Sequence, residues 1–385
     1  MYGDHLAGGD IHFFKMAEAA IHEGYPVNFI GGHALKGHVE RQGMGATVTL
    51  TDRGKMAKID AERVQGQVSL FADYTKRFAR TLASRRVIGA GDLAYATTDY
   101  WFDVLPAVFS RARGKMMIWH MEAPSMGQIL RRSRADVDAT RAASLHYWLS
   151  QNASLAAFSR CGRRRVLHVH PDMRPKLLRR GFRAGEISPI SFGVDPAPPG
   201  GDQPLAKIYD VVWIGRVHRQ KGIDDLLATL QFLAGRAPGF RAVIIGKVKA
   251  ELEGRVRALG LESCVDFPGF VSEERKFELF RSSRVYLMPS RFEGSPRVIG
   301  EALICGLPVL AYRVETYPAV FGEFLRYVDC FDLAAFQREA ERLVLETRAG
   351  RNYLDRLDLR KFKSANSWET AQGVFLKALG ELVPA

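Results

Sequence analysis

Two stretches of this 385-residue sequence concentrate side chains capable of chemistry. The first is IGRVHRQKG (214–222), in which Arg216 and Lys221 follow an apolar run ending in Gly215. Arg216 offers a planar fork suited to phosphate oxygens and Lys221 a compact charge, so together they could neutralise a diphosphate. Solvated surface charge at a strand end is the plainer alternative. The second is EGSPRVIGE (293–301), two glutamates around a Gly-Ser-Pro corner. Serine suits a helix cap and proline the first helical position, so Ser295 and Pro296 predict a helix start, with Glu293 in the loop before it and Glu301 inside it. The amides around 295–298 then form an anion site by position and dipole. A phosphate seated there has a carboxylate on either side, each able to accept hydrogen bonds from hydroxyls. Ribose, diphosphate and hexose in a row fit that arrangement; a capped structural helix with a solvent-facing Glu293 is the simpler possibility.

Positioning these residues requires parallel strands. The runs VVWIG (211–215), AVIIG (242–246), VDF (265–267), VYLMP (285–289) and PVLAY (308–312) alternate with helical patterns, which indicates βαβ units and a sheet covered on both faces. A weaker series comes earlier: VNFIG (27–31), TVTL (47–50), LAYAT (93–97), MMIWH (116–120) and VLHVH (166–170), with helices expected at 10–23, 65–83 and 141–158. PAPPGGDQP (196–204), with four prolines and two glycines, separates the series as a linker. The expected fold is α/β, two Rossmann-like doubly wound domains facing across a cleft, with chemistry at the C-terminal strand ends. The domains read as 1–195, 205–363 and a final helical segment 364–385. Only MYGDHLAGG precedes the first helical pattern, where a first strand is expected, so a start lacking about ten residues is the expectation.

Composition is that of a globular protein, 47% apolar and 25% charged. No run approaches the roughly 20 apolar residues of a bilayer-spanning helix. The first ten residues lack the basic and apolar regions of a signal peptide, so a cytoplasmic location is expected. Cys161, Cys264, Cys305 and Cys330 have neither metal-ligand nor disulfide-framework spacing and read as small apolar residues. The net charge is +13, with arginines clustered in RRSR (131–134), GRRR (162–165) and RPKLLRRGFR (174–183). Such a field attracts anionic lipid, phosphorylated substrates or nucleic acid. Nucleic acid is disfavoured, because Phe182 is the sole aromatic interleaved with these clusters.

Three other patterns carry less. GAGDLA (89–94) matches a dinucleotide fingerprint without its strand-turn-helix context. The Asp-x-Asp at 136–138 sits among arginines at helical spacing, a salt-bridged face. His168 and His170 share a strand face with no third metal ligand near, so a structural or phosphate-facing role is expected.

The ordered motifs GRVHRQKG, IIGKV, FPGFVSEE and MPSRFEGSPRVIGEALICGLPVLA resemble the retaining nucleotide-sugar glycosyltransferases of family 4, which have the GT-B fold. The likeness covers nearly all of 208–320 and, more loosely, Gly8-Gly9, the histidine of MIWHMEAP, ISFGVDP and the terminal SANSWETAQGVFLKAL. It implies that Arg216 and Lys221 hold the donor diphosphate and stabilise developing charge, that Glu301 binds the ribose, and that Glu293 with Gly294, Ser295, Pro296 and Arg297 contacts the sugar and diphosphate. Gly269, Phe270 and Val271 would lie against the base. His120 would approach the sugar from the first domain, and Gly9 would bring an amide to phosphate or acceptor. It implies a glycan or lipid-linked acceptor, an anionic membrane surface met through 131–183, no cofactor and no metal, with the leaving phosphate helping to deprotonate the acceptor. Two departures stand out: Pro296 removes an amide from the anion site, and the Gly8-Gly9 loop lacks its strand. A nucleotide-sugar epimerase or phosphorylase on the same scaffold is the alternative.

Overall fold

The structure is a computed structural model that describes residues 8–52, 64–83, 87–131, 141–195, 205–217, 219–247, 250–294 and 296–383. The expected linker 196–204, the Asp-x-Asp at 136–138 and Ser295 lie outside the described residues. The chain divides into two compact units, Met1–Phe192 with Trp368–Ala385, and Gly193–Ser367.

The first unit holds a two-stranded parallel sheet, β1 (Asn28–Gly31) with β2 (Thr47–Leu50), and a separate four-stranded parallel sheet. The larger sheet has β3 (Leu93–Ala96), β4 (Gly114–Trp119), β5 (Arg163–His168) and β6 (Ile187–Pro189) in that order. The single doubly wound sheet expected here is thus two sheets among the described residues. β4 shows how the larger one is buried on both faces. Met117 and Trp119 enter the core made with the helices Trp101–Phe109 and Arg141–Phe158, and Met116 and Ile118 enter the one made with Gly8–His22 and Trp368–Gly380. Successive strand residues point to opposite faces, so a run with no polar alternation needs cover on both sides.

In the second unit β7 (Tyr209–Ile214), β8 (Ala242–Ile245), β9 (Val265–Gly269), β10 (Ser283–Met288), β11 (Val309–Tyr312) and β12 (Arg326–Val328) form one parallel sheet, in the order β12-β11-β10-β7-β8-β9. Leu226, Leu230 and Leu233 of the helix Ile223–Ala234 and Phe336, Leu343 and Val344 of Leu333–Arg348 pack on Trp213, Val285, Leu287 and Tyr312. β6 and β12, three residues each, were too short to register as apolar runs. The GAGDLA glycines precede β3 rather than follow a strand, the reverse of a dinucleotide fingerprint.

Candidate active site

β7 and β10 are parallel neighbours, with Val211 opposite Val285 and Val212 opposite Tyr286. Their C-terminal ends therefore release two loops side by side, and each carries one of the stretches singled out by residue type. The β7 loop bears Gly215, Arg216 and the turn Arg219–Lys221; the β10 loop bears Arg291, Phe292 and Glu293. Lys221 Nζ and Glu293 Oε1 meet at 2.5 Å, and their side chains are 19% and 12% exposed. Residues expected to contact different parts of one ligand are each other's partners here. Arg216 is exposed, with no ion-pair partner among the described residues.

Glycine makes the close approach of these loops feasible. Gly222 has φ +66°, and a Cβ there would stand 1.9 Å from the carbonyl oxygen of Pro289. Gly246, at the end of β8 with φ +132°, would place a Cβ 2.4 Å from the Gly215 carbonyl oxygen. Its N–H donates to the carbonyl of Gly269, which ends β9, at 2.9 Å. Phe270 and Val271 follow, Phe270 exposed and Val271 half-buried. The glycines of three motifs thus line adjoining strand ends.

The helix after Glu293 spans Arg297–Ile304, one residue later than the predicted start. Pro296 is its cap, at φ −73° and ψ 105°, and its carbonyl accepts from the Ile299 N–H at 3.0 Å. Proline offers no N–H at that cap, and with the Ile299 amide so engaged the amides left in the first turn are those of Arg297 and Val298. Glu301 is buried and both its oxygens are paired, Oε2 with Lys276 Nζ at 2.9 Å and Oε1 with Arg297 Nη2 at 3.1 Å. Lys276 also pairs with Glu273 at 2.7 Å. Sequence reasoning missed Lys276; the signal was a lysine inside the apolar stripe of the helix Glu273–Arg281.

In the first unit, Gly8 and Gly9 open the helix Gly8–His22 instead of forming a loop, with Asp10 in the first turn, where a carboxylate favours the positive end of the helix. His120 stands just beyond β4, with its ring 5.9 Å from that of His12 in edge-on contact. Burial pushes its pKa down to about 4, against a hydrogen bond with the backbone of Thr97 and the nearby charge of Asp10. The ring is therefore neutral near pH 7. Just past it, the Met121 carbonyl accepts from Trp119 Nε1 at 3.0 Å, Tyr147 Oη at 2.9 Å and Gln151 Nε2 at 2.8 Å. Gln151 also donates to the buried Asp99, whose Oδ2 lies 3.2 Å from the Tyr147 hydroxyl. Burial raises the Asp99 carboxyl to about 6, with those hydrogen bonds opposing. No motif announced Asp99; it follows β3 by three residues, where strand-end side chains gather.

His168 and His170 are buried, and each bonds to a near neighbour in the chain. His168 Nδ1 lies 2.8 Å from the His170 carbonyl, and His170 Nδ1 accepts from the Asp172 N–H at 3.2 Å. Several arginines of the basic clusters also have internal partners. Arg164 pairs with Glu186 at 2.8 Å, Arg165 with Glu381, and Arg180 donates to Asn152 at 2.8 Å.

Residues 205–353 match the family model described as Glycosyl transferases group 1. An uncharacterized glycosyltransferase of Haemophilus influenzae is 33% identical over 113 residues, 28% of this chain and 31% of the relative. The D-inositol 3-phosphate glycosyltransferase of Nocardiopsis dassonvillei is 31% identical over 154 residues, 35% of this chain and 36% of the relative. The chain thus spans about a third of the length of these curated relatives. Among solved structures, Anabaena HepE in complex with UDP has a TM-score of 0.70 at 17% identity, covering 99% of this chain and 98% of that one. The sucrose-phosphate synthase of Thermosynechococcus elongatus has 0.69 at 19%, covering 98% and 92%. Likeness at such identities speaks for the fold, GT-B with Rossmann-like α/β units, as the sequence motifs implied. The part of the chain that brings Lys221 to Glu293 is accordingly the part that matches the model of glycosyl transferases group 1.

Proposed function

We propose that this protein is a glycosyltransferase that moves a hexose from a nucleotide-diphosphate sugar to a glycan or lipid-linked acceptor, with retention and without a metal. The observation that carries the reading is the Lys221–Glu293 pair at the strand ends of a group 1 domain. A donor offers each member a better partner: diphosphate oxygens for the ammonium, hexose hydroxyls for the carboxylate. Binding then exchanges one ion pair for two charge-assisted sets of hydrogen bonds. Arg216, exposed beside them, adds a fork for phosphate. The amides of Arg297 and Val298 add the positive end of a helix.

The transfer breaks the bond between the anomeric carbon and the β-phosphate oxygen and forms one to the acceptor oxygen on the same face. The acceptor proton passes to the departing phosphate. Cations and amides aimed at that phosphate stabilise the charge it develops. Neutral His120 can accept or donate a hydrogen bond to a sugar hydroxyl without adding charge. Glu301 would meet the ribose while keeping Lys276 and Arg297, since each carboxylate oxygen accepts more than one hydrogen bond. The amylovoran biosynthesis glycosyltransferase of Erwinia amylovora, 31% identical over 181 residues and half of that relative, is a relative whose name gives it a biosynthetic transfer. The exposed Arg179 and Arg180 support an anionic surface as the place where a lipid-linked acceptor is met.

The test is thermal stabilisation and slow hydrolysis across a panel of nucleotide sugars and nucleoside diphosphates, with Lys221→Ala and Glu301→Ala beside the wild type. Stabilisation that weakens in both variants supports the reading. If nothing in the panel stabilises the wild type at millimolar concentration, the reading fails.

A further inference from the structure

The contact between Lys221 and Glu293 is held from behind. Asp225, in the first turn of the helix Ile223–Ala234, is 8% exposed. Its two carboxylate oxygens accept from Arg291 Nη2 at 3.1 Å each, and Oδ2 also accepts from the Tyr312 hydroxyl, at the end of β11, at 2.9 Å. Arg291 stands two residues before Glu293, and Asp225 four residues after Lys221. The same two loops are cross-bonded along their backbones. The Arg291 N–H donates to the Gln220 carbonyl at 2.9 Å, and Gln220 Nε2 donates to the Phe292 carbonyl at 2.7 Å. Glu293 itself is fastened by Thr316 Oγ1, which donates to its carbonyl at 3.2 Å.

We propose that Asp225 is a positioning residue: by holding Arg291 it sets the separation of Lys221 and Glu293, and it keeps Arg291 from acting as a ligand of the donor diphosphate. The second clause rests on the transferase reading above; the first does not. A guanidinium clasped by a buried carboxylate cannot turn toward a phosphate without leaving that carboxylate unpaired, and breaking one half of such a pair costs far more than the pair itself contributes. The Arg291 guanidinium also lies 5.0 Å over the ring of Phe331, a residue held at φ 72°. With Arg291 so fixed, Glu293 has only two residues of chain in which to wander. Released, it would leave Lys221 and expose the ammonium.

Two readouts separate this role from general destabilisation. One is the rate at which a small acylating reagent modifies Lys221, mapped by mass spectrometry on the full chain. The other is the affinity for inorganic pyrophosphate and for UDP. Asp225→Asn and Arg291→Lys are each expected to speed Lys221 modification about fivefold, as the amine loses the carboxylate that covers it. Each is expected to weaken pyrophosphate binding about tenfold. Asp210→Asn, which removes a buried carboxylate elsewhere in the same sheet, is expected to do neither. If Asp225→Asn folds poorly, Arg291→Lys and Tyr312→Phe carry the test, the latter with a smaller effect. Lys221 modified at the wild-type rate in these variants overturns the positioning role. Arg291→Met added to Asp225→Asn is expected to cost further affinity, because Asp225→Asn frees the guanidinium to reach phosphate; no further loss in the double variant would mean that Asp225 restrains no ligand and would overturn that clause. A wild type that binds neither pyrophosphate nor UDP removes the transferase reading and that clause with it, while the labelling result still decides the positioning role.

Discussion

Lys221 and Glu293 stand 72 positions apart in the chain and 2.5 Å apart in the fold, because β7 and β10 are parallel neighbours that end on the same edge. Glu293→Gln leaves an ammonium without its carboxylate and a sugar without its acceptor. Transfer is expected to fall at least about a hundredfold in kcat, the scale of a lost transition-state contact. Pyrophosphate affinity is expected to hold, since the loop stays clasped through Arg291 and the amide stays within reach of Lys221. Lys221→Ala should lose both. Steady-state kinetics and calorimetric titration of the two variants check the split.

Asp210 is a purely structural counterpart. It is buried at the start of β7 and accepts from Arg348 Nε and Nη2 at 2.7 Å each and from the Arg241 N–H at 3.1 Å. Asp210→Ala strands the Arg348 guanidinium, and a loss of about 3 kcal/mol in urea unfolding is expected. Activity per folded molecule should be unchanged, because these contacts gather at the end of the sheet opposite Lys221.

Gly222→Ala tests the close approach of the loops. A left-handed residue with a Cβ costs about 1–2 kcal/mol before any clash, and here the Cβ would meet the Pro289 carbonyl at 1.9 Å. The backbone must shift, so activity is expected to fall together with stability, whereas Gly239→Ala, also at φ +66° but with open space around it, should cost stability alone. Parallel melting and activity measurements distinguish them.

Asp99 and His120 are expected to show opposite linkage between pH and stability. The Asp99 pKa is raised to about 6, so the folded state holds this proton more tightly than the unfolded chain does. Its contribution is full below pH about 4 and is lost as pH rises through about 6, a swing of about 2–3 kcal/mol. The His120 pKa is lowered to about 4, so its contribution is full above pH about 6.5 and is lost as pH falls through about 4. Relative to wild type, Asp99→Asn should therefore gain stability as pH rises from 4 to 6, and His120→Gln should lose it. Two denaturation series across that range check both signs, and a flat difference for either variant would contradict its shift.

Much of this was legible in residue order. Consecutive apolar residues with β-branched side chains read as strands buried on both faces, and β7, β8, β10 and β11 follow those runs to within two residues at either end. The stretches 214–222 and 293–301 were identifiable because charge beside a strand-ending glycine, or on both sides of a helix start, has few other local purposes. The side chains' partners were not legible. Lys276 and Asp225 entered no reading of the sequence and Arg297 entered only as a contact of sugar and diphosphate, yet Lys276 and Arg297 pair with Glu301 and Asp225 with Arg291.

What the sequence by itself determined was the alternation of strands and helices, the family likeness of residues 205–353 and the strand-end location of its charged motifs, since periodicity, turn chemistry and motif spacing are local properties. What only the tertiary structure decided was pairing. Whether Lys221 faces solvent or Glu293, whether Arg291 pairs with Asp225, and whether His120 carries a proton depend on which strands lie adjacent and how much water is excluded. Hydrogen bonds and desolvation act between atoms a few ångströms apart, across any distance along the chain.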